Sequence, residues 1–139
     1  MFKNILVAVD GSEHALKAAR IAGDFARQMQ ADLRVVTAYD PVPTYLGEPN
    51  LQHALDERFS LAQQILDDAS RQIGDVPGEL KTEVLEGPAA EAILAVIEAR
   101  GTDLVIMGTR GLGRLKGLLL GSQSQKVVSH ASCPVLLVR

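Results

Sequence analysis

The sequence predicts an α/β fold in which a single open sheet of five parallel strands is covered by four helices on its two faces. Two observations carry this prediction. Short apolar runs that are continuous rather than alternating, such as residues 5–9 and 104–107, are typical of strands covered on both faces. Longer segments between these runs carry apolar residues at every third or fourth position, as helices do. Because each crossover between parallel strands carries a helix to one face, we expect a doubly wound, Rossmann-like sheet.

The first half of the chain supplies two strands and two helices. The strand predicted at 5–9 ends at Asp10-Gly11-Ser12, where Ser12 is suited to cap a helix. Alanines at helical spacing form the apolar stripe of that helix: Ala15, Ala19, Ala22 and Ala26, followed by Met29. A second strand is predicted at 33–39, and three prolines exclude regular structure from the loop at 40–50. The second helix follows, with the apolar stripe Leu55, Phe59, Ala62, Leu66, Ala69 and Ile73.

The second half continues the alternation of strands and helices. Residues 80–85 alternate apolar and polar, as in a half-exposed edge strand. Pro88 opens a third helix that Gly101 closes, and a doubly buried strand follows at 104–107. A short helix at 122–131 and a strand at 134–138 complete the chain. We expect one domain over residues 1–139, with the strands in the order 3-2-1-4-5.

Composition excludes several classes of partner. The formal net charge of −3 argues against nonspecific binding to nucleic acid, because such binding needs a basic face. No segment resembles a signal peptide and no apolar run approaches the length that spans a membrane, so we expect a cytoplasmic protein without membrane contact. A single cysteine, Cys133, excludes an internal disulfide, and we expect it to be a small buried residue rather than a nucleophile.

The most informative segment runs from Gly108 to Gly121 and contains five glycines. Backbone N–H groups of glycines approach an anion closely because no Cβ intervenes, and a helix that starts after such a loop adds its dipole. This pattern favours a phosphate-binding loop after the strand at 104–107. A surface loop whose glycines only make turns is the alternative that the loop alone leaves open.

Asp10 and three cations are the side-chain candidates near this loop. If the strands that end at Val9 and Met107 are neighbours, Asp10 lies beside the glycine loop, where a carboxylate is suited to accept hydrogen bonds from ribose hydroxyls. The alternative for Asp10 is a turn residue before Gly11. The cations interleaved with the glycines are Arg110, Arg114 and Lys116, of which Arg110 is the best placed to contact phosphate; solvated loop cations are the alternative.

The residues that define several known binding and catalytic motifs are absent from this sequence. Gly121-Ser122 follows three leucines, so the lysine of a Walker A loop is absent, and Asp10-Gly11-Ser12 lacks the glycine fingerprint of a dinucleotide site. The three histidines have no partner at metal-ligand spacing. The sequence therefore predicts no catalytic residue and no protein metal site.

These motifs together resemble the universal stress protein family over the whole chain. The resemblance rests on Val9-Asp10-Gly11-Ser12, on Gly108-x2-Gly111-x9-Gly121-Ser122, and on the closing Cys133-Pro134-Val135-Leu136-Leu137-Val138. In the ATP-binding branch of that family, it implies that Asp10 holds the ribose. It further implies that the adenine is surrounded by backbone near Ala8, Val9, Ala38 and Met107. The residues that would line the phosphates are Gly108, Thr109, Arg110, Gly111, Gly121, Ser122 and Gln123.

The resemblance implies a stress-response protein that binds ATP as a regulatory ligand, with Mg²⁺ or Mn²⁺ bridging the phosphates. AMP or another adenine nucleotide is an alternative ligand. Two rival functions stay open: a slow ATPase or self-phosphorylating protein using Ser122 or Ser124, and a protein-interaction module that works without nucleotide. Because the run 135–138 is an apolar edge strand without a charge or proline, we also expect a homodimer in which two such edges pair.

Overall fold

A computed structural model describes residues 1–109 and 121–139 of the chain. Within these ranges it contains five strands and four α-helices, which we number in chain order. The strands are β1 (Asn4–Ala8), β2 (Asp32–Tyr39), β3 (Leu80–Glu86), β4 (Leu104–Gly108) and β5 (Val135–Val138). The helices are α1 (Glu13–Met29), α2 (Asn50–Ile73), α3 (Ala89–Arg100) and α4 (Ser122–His130). No helix of the described ranges is both long enough and apolar enough to cross a lipid bilayer.

All the strands run parallel in the order β3-β2-β1-β4-β5. The predicted fold and strand order are therefore confirmed. The central strand β1 pairs with β2 on one side and with β4 on the other, and its last residue, Ala8, lies opposite both Val36 and Met107. This register brings the carboxyl ends of the three strands to one edge of the sheet, at the point where the strand order reverses.

Side chains of β1 alternate between two cores, one on each face of the sheet. Ile5 and Val7 enter the core formed with α1 and α2, whereas Leu6 and Ala8 enter the core formed with α3 and α4. Helices thus cover both faces, which explains why the strand sequence is continuously apolar.

The narrow alanine stripe of α1 lets α2 pack closely against it. The predicted residues Ala15, Ala19, Ala22 and Ala26 are all buried. The packing is tight at Gly23, where an added Cβ would lie 2.9 Å from the carbonyl oxygen of Ile73. A larger residue at position 23 would therefore separate the two helices.

The predicted stripe of α2 is only partly buried. Ala62, Leu66, Ala69 and Ile73 are buried, but Phe59 is 53% exposed. The prediction is wrong for Phe59 because helical spacing places a residue on a face but does not supply an element opposite it. The preceding loop also differs from the prediction, since Thr44–Leu46 forms a single 3₁₀ turn after Pro43. A turn of three residues is short enough to fit between the prolines.

Candidate functional site

The chain turns sharply where β1 ends. Val9 still donates its backbone N–H to the Val36 carbonyl at 2.9 Å, and Gly11 then adopts a φ of +86°. Asp10 stabilises this turn, because its Oδ1 accepts the N–H of Ser12 at 3.0 Å. The Ser12 hydroxyl in turn accepts the Ala15 N–H at 3.2 Å and caps α1 as predicted. Asp10 is thus a turn residue through one carboxylate oxygen, while within the described part of the chain Oδ2 accepts no hydrogen bond.

A cavity of about 560 Å³ opens directly beside Asp10, at the carboxyl ends of the strands. This is the position at which open α/β sheets bind their ligands. The described residues that line the cavity come from the ends of β1 and β2, from α2 and from the start of α3: Asp10, Thr37, Ala38, Tyr39, Asp40, Arg58, Leu61, Ala62, Ile65, Gly87 and Ala89.

The structure places two of the predicted residues, Asp10 and Ala38, in the wall of this cavity. The other residues predicted around an adenine base, Ala8, Val9 and Met107, are at most 2% exposed and pack in the cores below it. Their side chains are therefore unavailable to a ligand, which leaves only backbone atoms at these positions for contact.

Polar residues that the sequence analysis missed also line the cavity. Thr37 is 3% exposed and is the one polar residue in the stretch 35–38 of β2, which is a signal that the sequence does carry. Tyr39 donates its phenolic hydrogen to Glu86 Oε2 at 3.0 Å. Partial burial and the Glu86 carboxylate raise the pKa of this phenol, so Tyr39 stays protonated as a donor.

Arg58 closes one side of the cavity. It lies in α2 and donates from Nη1 to the backbone carbonyl oxygen of Asp40 at 2.7 Å. This bond ties the loop after β2 to the helix that follows it, and among the described residues the other guanidinium N–H groups have no partner. No sequence motif marks Arg58, because its position depends on where α2 crosses the strand ends.

The two ends of the glycine-rich loop meet at the carboxyl ends of the strands, where the cavity also lies. Gly121 donates its N–H to the Thr109 carbonyl at 2.8 Å, and Thr109 donates its own N–H to Val138 at 2.9 Å. The predicted residues Gly108, Thr109, Gly121 and Ser122 are thereby brought together. Arg110 and Gly111 lie outside the described residues, as do Arg114 and Lys116.

Helix α4 begins at this junction. Its N-cap residue, Gly121, makes no side-chain capping bond, so the N–H groups of the first turn have no side-chain partner from the cap. Ser124 is fully buried and donates its hydroxyl hydrogen to the Gly108 carbonyl at 3.1 Å, which fixes α4 against β4. Ser122 is only half-buried. An uncapped helix start of this kind is suited to bind an anion.

Gln123, predicted to line phosphates, has a partner of another kind. Its Oε1 accepts the backbone N–H of Ala90, in the first turn of α3, at 2.9 Å. Pro88 precedes α3 and offers no side-chain cap, so Gln123 provides the cap from a neighbouring helix. This leaves the Nε2 amide hydrogens of Gln123 for other acceptors.

Each of the three histidines contacts another group in the described part of the chain. His14, in the first turn of α1, places Nδ1 3.3 Å from the hydroxyl of Thr109. His53 pairs with Glu57 on the surface of α2, and His130 contacts the Lys126 carbonyl. In residues 1–109 and 121–139, no three His, Cys, Asp or Glu residues are grouped as metal ligands.

Cys133 is half-buried rather than buried and packs against the core next to α3 and α4. Burial, together with the charges of Asp103 and Glu98, raises the pKa of its thiol. A raised thiol pKa disfavours the thiolate, which is consistent with the expectation that Cys133 is not a nucleophile.

Comparison with known proteins gives matches along the whole chain. The model of the universal stress protein family matches residues 1–139. A relative in Thermus aquaticus, the universal stress protein in the QAH/OAS sulfhydrylase 3' region, is 52% identical, and the alignment covers 100% of both chains. The solved structure of universal stress protein UspA from Lactobacillus plantarum is 28% identical, with a TM-score of 0.88 over 99% of this chain and 98% of that chain.

Two other solved structures with this fold were determined with bound nucleotides. One is a universal stress protein in complex with cAMP, which is 24% identical with a TM-score of 0.73 and covers 99% of this chain and 97% of that chain. The other is the universal stress protein from Archaeoglobus fulgidus in complex with dAMP, which is 22% identical with a TM-score of 0.65 and covers 99% and 98%. The match of the family model to all residues and the 52% identity to a full-length relative establish the classification. This chain belongs to the universal stress protein family.

Proposed function

We propose that this protein binds an adenine nucleotide, ATP in the first instance, in the crevice at the carboxyl ends of β1, β2 and β4. One observation carries the proposal. The cavity of about 560 Å³ beside Asp10 lies at the switch point of the sheet, on the edge where the ends of the glycine-rich loop meet at an uncapped helix start. A cavity with both apolar and polar walls, next to a source of backbone N–H groups, suits a ligand with an aromatic base, a sugar and a phosphate chain.

The base and the ribose occupy the cavity in this proposal. Ala62, Ile65 and Ala89 supply apolar walls for a purine, while the backbone near Ala38 is within the lining and offers hydrogen-bonding groups to its edge. Asp10 Oδ2 accepts hydrogen bonds from the ribose hydroxyls while Oδ1 holds the turn at Ser12. The geometry of the turn thus keeps the carboxylate oriented before the ligand arrives.

The phosphates lie at the glycine-rich loop and the start of α4. Gly108, Thr109, Gly121 and Ser122 surround this position, and Arg110 and Gly111, outside the described residues, belong to the same proposed set. Since the described residues group no metal ligands, Mg²⁺ or Mn²⁺ would be held mainly by the phosphates themselves and would neutralise part of their charge.

Two solved relatives of the same fold support the choice of adenine. Both cAMP and dAMP carry this base, although they differ in sugar and in phosphate arrangement. Because the base is the part that the two ligands share unchanged, we infer that the part of the cavity that holds the base recognises the nucleotide. We therefore expect the base end to contribute to binding of every adenine nucleotide and the loop to set the preference among them.

We further propose that the protein acts in the cytoplasm as a homodimer joined through β5. This strand is the last in the sheet order, and Val135, Leu136 and Leu137 are only half-buried within one chain. Pairing with the same strand of a second copy would satisfy the open edge of both sheets.

The experiment is to purify the protein, identify retained small molecules by mass spectrometry and titrate ATP by calorimetry. We expect ATP to bind. We expect its hydrolysis to be slow, because the sequence has no Walker A lysine and no described residue is positioned as a general base. Rapid release of phosphate, or a phosphate group on Ser122, would favour the enzymatic alternative. Ser124 is a poor acceptor, since its hydroxyl is buried and bound to Gly108. If the protein binds neither ATP, AMP nor adenosine, the remaining hypothesis is a protein-interaction module that works without nucleotide.

A further inference from the structure

Gln123 connects two elements that lie at different ends of the proposed nucleotide site. Its backbone is in the first turn of α4, which we assign to the phosphates, and its side chain reaches the first turn of α3. The approach to α3 forms part of the cavity, since Gly87 and Ala89 line its wall. Gln123 itself is not among the described residues that line the cavity.

The contact with α3 satisfies a need of that helix. The second N–H of a helix is normally bound by a side chain at the N-cap, but Pro88 occupies that position in α3 and has none to offer. The Ala90 N–H donates instead to Gln123 Oε1 at 2.9 Å. Because Ala90 is 0% exposed, water does not replace this acceptor readily, and loss of the bond would leave a buried donor unpaired.

We propose that Gln123 is a positioning residue that holds the base end of the site in place by fixing the start of α3 to the start of α4. This inference rests on the proposed nucleotide site. Its consequence is specific: the affinity for adenosine, which has no phosphate, depends on a residue in the phosphate-binding helix. A residue that only contacts phosphate would affect ATP and leave adenosine unchanged.

Three variants of the full chain test the proposal, with adenosine and ATP as calorimetric probes. Gln123→Met keeps the length of the side chain but has no strong acceptor for the Ala90 N–H. We expect it to lower the affinity for adenosine on the order of ten-fold, or about 1.4 kcal/mol. The reason is that the ligand must then order the start of α3, which the lost bond no longer fixes. Gln123→Glu retains an oxygen at the same distance along the side chain, and we expect it to restore adenosine binding relative to the methionine variant.

Val127→Ala is the matched control for general loosening of α4. Val127 lies in the same helix, is 0% exposed and packs in the core next to α3, but its side chain has no acceptor for the Ala90 N–H. We expect this variant to lose at least as much thermal stability as Gln123→Met while it binds adenosine with native affinity.

Two results would overturn the inference and leave the proposed function standing. In the first, Gln123→Met weakens ATP but binds adenosine like the native protein, so that Gln123 is a phosphate contact only. In the second, Val127→Ala loses adenosine affinity as strongly as Gln123→Met, so that the effect is general destabilisation. If the native protein binds neither adenosine nor ATP, the proposed function fails and the inference fails with it.

Discussion

Asp10 has two tasks in the proposed site, and they are separable by experiment. Replacing it by Ala is expected to weaken ATP binding by about 1–3 kcal/mol, because the ribose hydroxyls lose a charged acceptor. The native protein should prefer ATP to 2′,3′-dideoxy-ATP in calorimetric titrations, and Asp10→Ala should bind the two nucleotides equally. Equal affinities in the native protein would contradict the assignment of the ribose to Asp10.

Ser12 provides the control for the structural task of Asp10. Its hydroxyl caps α1 through Ala15, and its N–H is the group that Asp10 Oδ1 accepts. Ser12→Ala should lower the free energy of unfolding by about 1 kcal/mol, the usual cost of a lost N-cap. Thermal unfolding measures this cost, and the preference for ATP over the dideoxy nucleotide should persist.

Individual site residues differ in how far the sequence predicts them. Asp10 follows an apolar strand directly, so its place at a strand end is evident from the chain alone. Arg58 and Ile65 lie in the middle of a helix, and nothing nearby in the sequence marks them. They reach the cavity only because α2 packs across the ends of the strands. Tertiary packing of that kind leaves no local sequence signal.

Among the secondary-structure elements, the junction between the glycine-rich loop and α4 is where a substitution best tests the proposed phosphate site. Gly121 has φ −66° and ψ 156°, a conformation open to residues with a side chain. The backbone of Gly121 is thus compatible with valine, and the branched Cβ of Gly121→Val should block the approach of phosphate to the N–H groups. Because Gly121 is buried, thermal unfolding is the control that the variant still folds. We expect calorimetry to detect no ATP binding, whereas adenosine still binds. Native affinity for ATP in this variant would exclude the phosphate site.

Helix α2 offers a test of which part of an amphipathic helix supports the fold. Leu66 is 1% exposed and packs in the core with α1, whereas Phe59 is 53% exposed. Leu66→Ala should lower the free energy of unfolding by about 2–5 kcal/mol. Phe59→Ser should lower it by less than about 1 kcal/mol, as surface substitutions do. Urea unfolding gives both values, and equal losses would show that the exposed half of α2 also carries stability.

For the whole molecule, the parallel, doubly wound sheet follows from the alternation of strands and helices in the sequence. Continuous apolar runs indicated β1 and β4 as central strands, and the alternating run at 80–85 indicated an edge, where β3 lies. The contacts between elements were harder to predict. Periodicity predicted which face of α2 is apolar. It did not predict that burial of this face begins only at Ala62.

β5 is the second edge strand of the sheet, and its hydrogen bonds with β4 show which of its backbone N–H and C=O groups point away from the sheet. The carbonyls of Pro134 and Val138 accept hydrogen bonds from Val105 and Thr109, on the side of β4. Since backbone groups of successive strand residues point to opposite sides, the N–H and C=O of Val135 and Leu137 point away from β4. Among the described residues no strand pairs with that side.

A proline at Leu137 should separate the proposed dimer without breaking the sheet of one chain. Leu137→Pro removes an outward N–H, a change that edge strands tolerate, whereas Leu136→Pro would remove an N–H directed at β4 and serves as the destabilised control. Val138 is unsuitable as a probe because it is only 6% exposed and belongs to the core of its own chain. Light scattering at micromolar concentration should give a dimer mass for the native protein and a monomer mass for Leu137→Pro. Leu137→Pro should still unfold cooperatively, and at a higher temperature than Leu136→Pro. A native protein that scatters as a monomer would contradict the dimer, and a Leu137→Pro protein that stays dimeric would place the association on another surface.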